Sequence, residues 1–569
     1  MAEKKEFIPL WRETPPVEGT YRSIFKWGHP LAFKHPNNKL YRELKTVFGL
    51  GDEEFQKPRH EGDEPVLLKK PPRIKRADIA ALEKIAGEEN VSVKAYDRVK
   101  FSRGKTIEEA MKLRAGDNGD TADLVVHPRD KEDVRKIVAY CSGKGIPLYV
   151  YGGGSSVTFG LNPARGGVTL VLSTHMNRLV EFNELNQTAT VQAGMLGPAY
   201  EDLLNSAPEK LGARRRYTCG HYPQSFEYSS VGGWVVTLGS GQASSYYGDA
   251  GDLVVSQEYV TPAGTFKTLD YPATATGPRV NDIMKGSEGS FGVLVEVTMK
   301  VYRYMPKNRQ RFGFIFPTWD DAVNASREIS QGEFGMPAVF RISDPEETHI
   351  GLKLYGIDGT PIDRLMSLRG YRPMERCLFL GSAEGEKQFA RNVKKQVKKI
   401  CRAHGGMYLT GFATKQWEPG RYRDPYLRED LHDYGILIDT LETGVTWSNI
   451  HRVHREVRAF IKSRPRTVCM THASHFYPQG TNLYFIFIAR IDDVKEYKKL
   501  QDGIIDAIYR SGGSLSHHHG VGKMISPWME RHLGSEQMDV LRALKKHFDP
   551  KNVMNPGGQL GLDIKGKKR

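Results

Sequence analysis

The stretch Ile146–Gly160, IPLYVYGGGSSVTFG, decides how the first half of the chain is read. Its opening residues form the apolar run of a buried strand, which passes without a break into three glycines and two serines. Glycine lets backbone N–H groups approach a ligand closely because no β-carbon intervenes, so Gly152, Gly153, Gly154, Ser155 and Ser156 form a candidate diphosphate cradle. A plain tight turn is the competing reading of such a cluster. The segment is not a Walker A loop, since no Gly-Lys-Ser/Thr follows, and it lacks the GxGxxG spacing of a Rossmann fingerprint.

On the N-terminal side, DLVVHP (123–128) reads as a short buried strand. KEDVRKIVAYCSGKG (131–145) places Val134, Ile137, Val138 and Cys141 at helical spacing. A β-α-β unit ending in the glycine turn follows. On the C-terminal side come the strand GGVTLVLS (166–173), the alternating pair RLVEFNE (178–184) and TATVQAG (188–194) as a hairpin, and the helix PAYEDLLNSA (198–207). Two more glycine-rich segments follow. PQSFEYSSVGGWVVTLGSGQASSYYGD (223–249) and GSEGSFGVLVEVTMKVYR (286–303) offer hydroxyls and small residues that suit a flat, polar-edged cofactor lying against backbone.

After about residue 305 the pattern resets, with strands RFGFIFP, CLFLGSAEG and TNLYFIFIAR alternating with helices near WDDAVNASREIS, EKQFARNVKKQVKKICRAHG and Tyr497–Ser511. The expected organisation has four parts. These are a charged, proline-rich, partly helical N-terminal extension over 1–118, a first domain over 119–304, a second α+β domain over 305–525, and a segment, 526–569, that returns to the first domain.

The chain has 569 residues, beyond the ~250–300 at which a single core stops growing, so more than one core is required. The composition, 39% hydrophobic and 26% charged, excludes disordered and fibrous classes. A net charge of +15 favours anionic partners and says little about fold. Five cysteines lie far apart with no CxxC pair, which argues against a zinc ribbon or disulfide scaffold and for a reducing compartment. MAEKKEFIPLWRETPP lacks the apolar core of a signal peptide, and no run approaches the ~20 apolar residues of a bilayer span. A cytoplasmic protein, touching membranes only peripherally, is expected. The closing GKKR is not a peroxisomal address of the Ser-Lys-Leu kind.

Three sites carry candidate chemistry. GGSLSHHHGVGK (512–523) sets His517, His518 and His519 between glycines. No nearby Asp, Glu or Cys is spaced to complete a metal shell, and no metal is expected. A solvated loop, anion recognition and proton transfer near a pKa of ~6.5 remain open. Tyr484 lies in NLYFIFIA, sharing a strand face with Ile486 and Ile488 while Phe485 and Phe487 take the other; its plain reading is a core aromatic. Arg341 in AVFRISD reads by default as a surface charge or ion pair. The basic runs ARRRY and KKQVKKICR could touch phosphates, and a solvated helix face is the default for the second.

Taken in order, YGGGSSV, CGHYPQSFEYSSVGGWVVT, MKGSEGSFGVLVEVTMKV and GGSLSHHHGVGK resemble the FAD-binding oxidases of the vanillyl-alcohol-oxidase (PCMH) type. Within them, the chain is similar to the alkyldihydroxyacetonephosphate synthase branch of ether-lipid synthesis; FKWG, DYGILIDTLETGVTW and DPKNVMNPG extend the likeness over nearly the whole chain. The histidine loop is the most specific of these signals. The resemblance implies an α+β fold, with a two-subdomain PCMH-type FAD-binding domain and an α+β cap domain for substrate.

It also implies noncovalent FAD, since the glycine loops carry no histidine or cysteine for attachment. The cofactor would lie along Val150, Tyr151 and the cradle from Gly152 to Ser156, then Pro223, Gln224, Ser225, Phe226, Glu227, Tyr228 and Ser229. It would continue past Val236, Thr237, Leu238 and Gly239 to Glu288, Gly289, Ser290, Phe291, Gly292, Val293 and Leu294. Tyr484 and the three histidines match the family's catalytic groups, and Arg341 its required arginine. The implied reaction exchanges the acyl group of acyl-dihydroxyacetone phosphate for a fatty alcohol through a flavin N5 adduct, without net redox change. Its partners are the phosphorylated lipid-like substrate and the alcohol, in a homodimer that binds no nucleic acid.

Two departures bear on phosphate binding. MTHASHFYPQG puts His472 where the family has a substrate-binding arginine, and MNPGGQ replaces the family's asparagine- and arginine-bearing ending. Losing one charge-assisted contact costs ~1.5–3 kcal/mol, so His472 or another base must compensate. The rival reading is an FAD-linked oxidase or dehydrogenase of a 2-hydroxy acid or small alcohol that passes electrons to an external acceptor. Against its metal-dependent branch, SHFYPQGTNLY ends in tyrosine where GHxGDGNxH has a second histidine. A nucleic-acid or membrane-surface binder would explain the charge and none of the glycine loops.

Overall fold

The computed structural model describes residues 7–562, so MAEKKE and GKKR at the two ends lie outside the described residues. Strand Leu148–Tyr151, which enters the glycines, pairs in parallel with Val168–Val171, and that strand pairs in parallel with Leu124–Val126. Parallel neighbours need a crossover, and helix Lys131–Lys144 supplies it. The Asp130 carboxylate accepts the N–H groups of Glu132 and Asp133, both at 2.9 Å, and Gly145 closes the helix at φ 67°. Val134, Ile137, Val138 and Cys141 are all buried, the face expected from their spacing.

Val91–Ser92 adds the fourth strand of this sheet. A second, five-stranded antiparallel sheet runs Leu179–Asn183, Thr188–Gln192, Val293–Lys300, Val254–Thr261, Gly264–Lys267. Both sheets share one apolar core that includes Leu148, Val168, Leu170, Val191, Tyr259 and Val297.

The C-terminal half holds a seven-stranded antiparallel sheet in the order Met407–Tyr408, Gln310–Phe316, Cys377–Ala383, Val339–Ser343, Val468–Tyr477, Gly480–Arg490, Ile436–Thr446. Helices Trp319–Ser330, Lys387–Ala403, Ile450–Ser463 and Val494–Ser511 cover one face, where Phe312, Phe314, Phe485 and Phe487 are fully buried. Side chains alternate along a strand, so Arg341, Tyr484, Ile486 and Ile488 point the other way, toward a large cavity. Helix Lys387–Ala403 buries Ala390, Val393, Val397, Ile400 and Cys401 and leaves Lys395 and Lys399 in solvent, the default reading of its basic run.

The N-terminal stretch packs across the second half. Leu40, Tyr41, Leu44 and Phe48 share a core with Leu427, Leu431 and Ile436. The two Nη atoms of Arg22 donate to the Asp433 carboxylate at 3.0 and 2.9 Å, and Arg114 Nη1 donates to the same group at 2.5 Å. The C-terminal segment serves both cores: Trp528, Met529 and Met538 pack into the second, and Phe548, Val553 and Met554 into the first. Its backbone extends the strand that leads to the cradle, with Leu148 N–H on Val553 O and Asn555 N–H on Leu148 O, both at 2.7 Å. Among the described residues no helix is long and apolar enough to cross a membrane.

Because all three side chains are buried, Asp433→Asn leaves two guanidiniums without their counter-charge. The expected loss is about 3–5 kcal/mol, read from the urea midpoint of unfolding. A loss within experimental error would show that the N-terminal stretch is not fastened there.

Candidate active site

The cradle follows from the glycines. A β-carbon on Gly153 would lie 1.9 Å from the carbonyl oxygen of Tyr228, and one on Gly154, at φ 69°, would lie 2.1 Å from the Tyr151 hydroxyl. Any larger residue would push the turn off its neighbours. The turn forms one wall of a cavity of about 720 Å³, within the ~300–1,000 Å³ common for cofactor sites. Pro223, Gln224, Ser225, Ser229, Val236, Thr237, Gly239, Glu288, Gly289, Gly292 and Leu294 join Val150, Tyr151 and the cradle residues in lining it.

Seven residues that the resemblance places on the cofactor do not face this space. Phe226 stacks between Trp234 and Tyr422, Glu227 pairs with Arg423 at 3.0 Å, and Tyr228 stands edge-on to Trp27. Leu238, at φ 51°, is 44% exposed. Ser290 offers its main-chain carbonyl to Lys545, while Phe291 and Val293 belong to the first core. Phe226, Glu227, Tyr228 and Leu238 lie in turns and Ser290 and Phe291 in a bend, where successive side chains diverge as they do on the strand that begins at Val293, so no contiguous run presents every member to one cavity.

The remaining walls carry the chemistry. Glu442, from strand Ile436–Thr446, is buried beneath the histidine loop. Its carboxylate accepts the N–H groups of His517 at 2.8 Å and of His518 and His519 at 3.1 Å, and the Ser516 hydroxyl at 2.6 Å. Burial opposes its ionisation, and the histidines together with these donors outweigh that and hold its pKa below the ordinary value. At the far end of the loop, Glu288 accepts the N–H groups of Val521 and Gly522 at 2.5 and 2.8 Å and the Gln559 amide at 2.5 Å. The cradle is tied to the loop directly, because Thr158 Oγ1 donates to the His519 carbonyl at 3.3 Å.

His518 and His519 line the cavity, and His517 stands behind them. Burial pushes both cavity imidazoles below the ordinary histidine pKa, His518 furthest because four other histidines also bear on it, so both are neutral proton acceptors. Tyr484 lies between imidazoles, parallel to His472 at 4.8 Å and to His518 at 5.9 Å, and its hydroxyl donates to Thr440 at 3.1 Å. Burial pushes its pKa up to about 12, which makes it a donor at neutral pH.

Arg341 and His472 stand side by side on neighbouring strands and share Glu347, which sequence reasoning passes over. The His472 Nδ1 atom is 3.1 Å from the Glu347 carboxylate and 3.2 Å from Arg341 Nη2, and Arg341 is ion-paired to the same carboxylate. Burial works against the Glu347 charge, yet His472 and Arg341, both in contact with its carboxylate, prevail and hold its pKa at about 2. Glu442 is likewise missed, although it lies in DTLETG, 75 residues from the loop it holds. Glu442, His517 and His518 bring donor atoms within 4.8 Å of one another, but the carboxylate is already occupied by loop N–H groups, so its evident role is to fix the loop.

These residues fit a flavin dinucleotide. The glycine turn admits a diphosphate against bare backbone, and Gln242 Oε1 and His475 Nδ1, both on the cavity wall, are buried polar atoms without a protein partner. Residues 122–270 match the family described as FAD binding domain, and residues 305–558 match FAD linked oxidases, C-terminal domain. Fold and site therefore define a flavoprotein of the FAD-linked oxidase class, in which the cofactor is FAD.

The alkyldihydroxyacetonephosphate synthase of Dictyostelium discoideum is 31% identical over 479 residues, covering 81% of this chain and 76% of that protein. The synthase of Trypanosoma brucei brucei is 27% identical, covering 87% and 82%. A solved alkyldihydroxyacetonephosphate synthase superposes with a TM-score of 0.79 at 26% identity, over 94% of this chain and 99% of that one. The chain belongs to the alkyldihydroxyacetonephosphate synthase family.

Two outcomes test this geometry. Gly153→Ala should give folded protein that purifies with little flavin, read from its absorbance; full FAD content would remove the turn from the cofactor. Glu347→Gln tests the charge cluster. A depressed carboxylate pKa stabilises fully above the unfolded value of 4.5, and the benefit disappears as pH falls toward about 2. The variant should therefore be less stable by about 3 kcal/mol at pH 7, with the gap to wild type narrowing at pH 3; a pH-independent gap would contradict the pairing.

Proposed function

We propose that the protein catalyses the exchange of the acyl group of acyl-dihydroxyacetone phosphate for a fatty alcohol, forming an alkyl ether and a free fatty acid. The observation that carries this reading is the joining of two chemistries in one cavity. Its lining holds the cradle, Arg341, Tyr484 and two neutral imidazoles together with Leu352, Leu378, Leu380, Leu409, Ile486 and Ile488, an apolar wall suited to an alkyl chain. A small hydroxy acid has no use for that wall, which disfavours the dehydrogenase reading.

In this reading Arg341, with His472 beside it, holds the phosphate, and the Glu347 carboxylate keeps the pair in register. His518 accepts the proton removed from substrate C1, since burial keeps its ring neutral. Tyr484 donates a hydrogen bond to the departing carboxylate, and His519 completes the wall beside it. FAD, held noncovalently, supplies an electron-deficient ring that can take up and return an electron pair during the exchange.

The same reading covers location. Helix Pro361–Leu368 exposes Ile362, Leu365 and Leu368 beside Arg364 and Arg369, and its inner residue Met366 packs with Leu352, Leu378 and Leu409 of the apolar wall. That face would rest on an anionic membrane and admit long chains from it. All five cysteines are buried and unpaired, which fits a cytoplasmic, reducing setting. The working unit is taken to be a homodimer, with residues 119–304 holding FAD and 305–525 the substrate.

Purified holoprotein given acyl-dihydroxyacetone phosphate and labelled hexadecanol should yield labelled ether with no electron acceptor present. Tyr484→Phe should lower turnover by about 100-fold or more while retaining FAD. Bleaching of the flavin by a 2-hydroxy acid, with no ether formed, would overturn the assignment.

A further inference from the structure

The exchange, if it proceeds as proposed above, liberates a proton inside a buried site. An ester R′COO–CH₂ and an alcohol ROH give the ether RO–CH₂ and the carboxylate R′COO⁻, and the alcohol O–H proton remains. The groups assigned so far accept a proton and do not dispose of it. Behind them lies a connected set of donors and acceptors that the mechanism has not used.

His517 Nδ1 is 3.1 Å from His518 Nδ1, and its other nitrogen, Nε2, is 2.8 Å from the Tyr477 hydroxyl. That hydroxyl donates to Asp249 Oδ2 at 2.6 Å. His518 lines the cavity, whereas His517, Tyr477 and Asp249 do not; Asp249 as a residue is partly exposed, although its Oδ1 is buried without a protein partner. The line therefore runs from the reaction space to a carboxylate outside it. We propose that His517, Tyr477 and Asp249 form a proton relay that drains the cavity through His518.

The transfers balance. His518 takes the proton on Nε2 and yields its Nδ1–H to His517 Nδ1; His517 yields its Nε2–H to the Tyr477 oxygen; Tyr477 yields its O–H to Asp249, which releases a proton to water. Each group breaks one N–H or O–H bond and forms one, as imidazole and phenol can, and each contact lies within hydrogen-bond range.

The surroundings favour this direction. His517 is faced by Tyr477 and by His475 from strand Val468–Tyr477, by His518 on its own loop, and by Glu442 below. Burial opposes a charge on Asp249, and His475 and His517 outweigh that and keep it a carboxylate, ready to receive the proton. Burial likewise pushes His475 down to about 3, against the pull of the neighbouring Asp249.

The test uses FAD-loaded protein labelled with [¹⁵N]histidine, in wild type, Tyr477→Phe and Asp249→Asn, with FAD content confirming intact folding. Asp249→Asn and Tyr477→Phe should each change the ¹⁵N shifts and the tautomer of His517, whose Nε2 faces the Tyr477 hydroxyl. In the ether assay both variants should slow about 100-fold in dilute buffer and recover several-fold on adding imidazole, which a purely structural defect would not allow. Full turnover in both variants would overturn the relay. So would a loss that imidazole does not rescue. If wild type forms no ether, the reaction proposed above falls, and the spectra decide the relay alone: coupled shifts at His517 support it, and an unmoved His517 refutes it.

Discussion

Two buried carboxylates, one from each half of the molecule, hold the histidine loop by its backbone. Glu442 rises from the seven-stranded sheet and accepts the N–H groups at the start of the loop, and Glu288 reaches from the glycine-rich turn of the FAD-binding half to accept those at its end. A carboxylate taken out of water must be met by donors, and here the donors are main-chain groups of one short segment. The loop is consequently fixed by its backbone, which leaves the imidazoles of His518 and His519 facing the cavity. Everything proposed for the site depends on that suspension between two cores.

The same constraint explains the division of chemistry. One face of the seven-stranded sheet is sealed by helices, so its other face can carry polar and apolar residues in zones: Arg341, His472 and Tyr484 near the loop, Ile486 and Ile488 further along. A single strand, Gly480–Arg490, thus contributes both a hydrogen-bond donor and part of an alkyl-binding wall. The polar end is dense in histidine, and burial keeps most of these rings neutral, which favours proton acceptance over permanent anion binding. Permanent positive charge at that end comes from Arg341, and Glu347 already offsets part of it.

Much of the fold is legible in the sequence because period and punctuation agree. The strand ending at Tyr151, the helix over Lys131–Lys144, and the face shared by Tyr484, Ile486 and Ile488 all follow from spacing alone. Strands Ile436–Thr446 and Val468–Tyr477 are harder to read, since Asp439, Glu442, His472 and His475 interrupt their apolar pattern in order to serve the cavity and the loop. The site is legible in its motifs and not in its supports. Glu442 and Tyr477 lie on other strands, Glu347 on helix Pro345–Leu354 and Asp249 on a loop, and they meet their partners only through tertiary packing, which one-dimensional spacing does not record. The motifs also run through residues such as Phe226, Tyr228, Phe291 and Val293, whose side chains point into packing rather than into the cavity.

The most direct measurement is a crystal structure of the holoprotein with FAD bound. The account predicts the diphosphate against the N–H groups of Gly152–Ser156, and the ring system in the same cavity as Tyr484, His518 and His519, with the loop still seated on both carboxylates. FAD density away from the glycine turn, or a histidine loop swung into solvent with Glu442 unsatisfied, would contradict it.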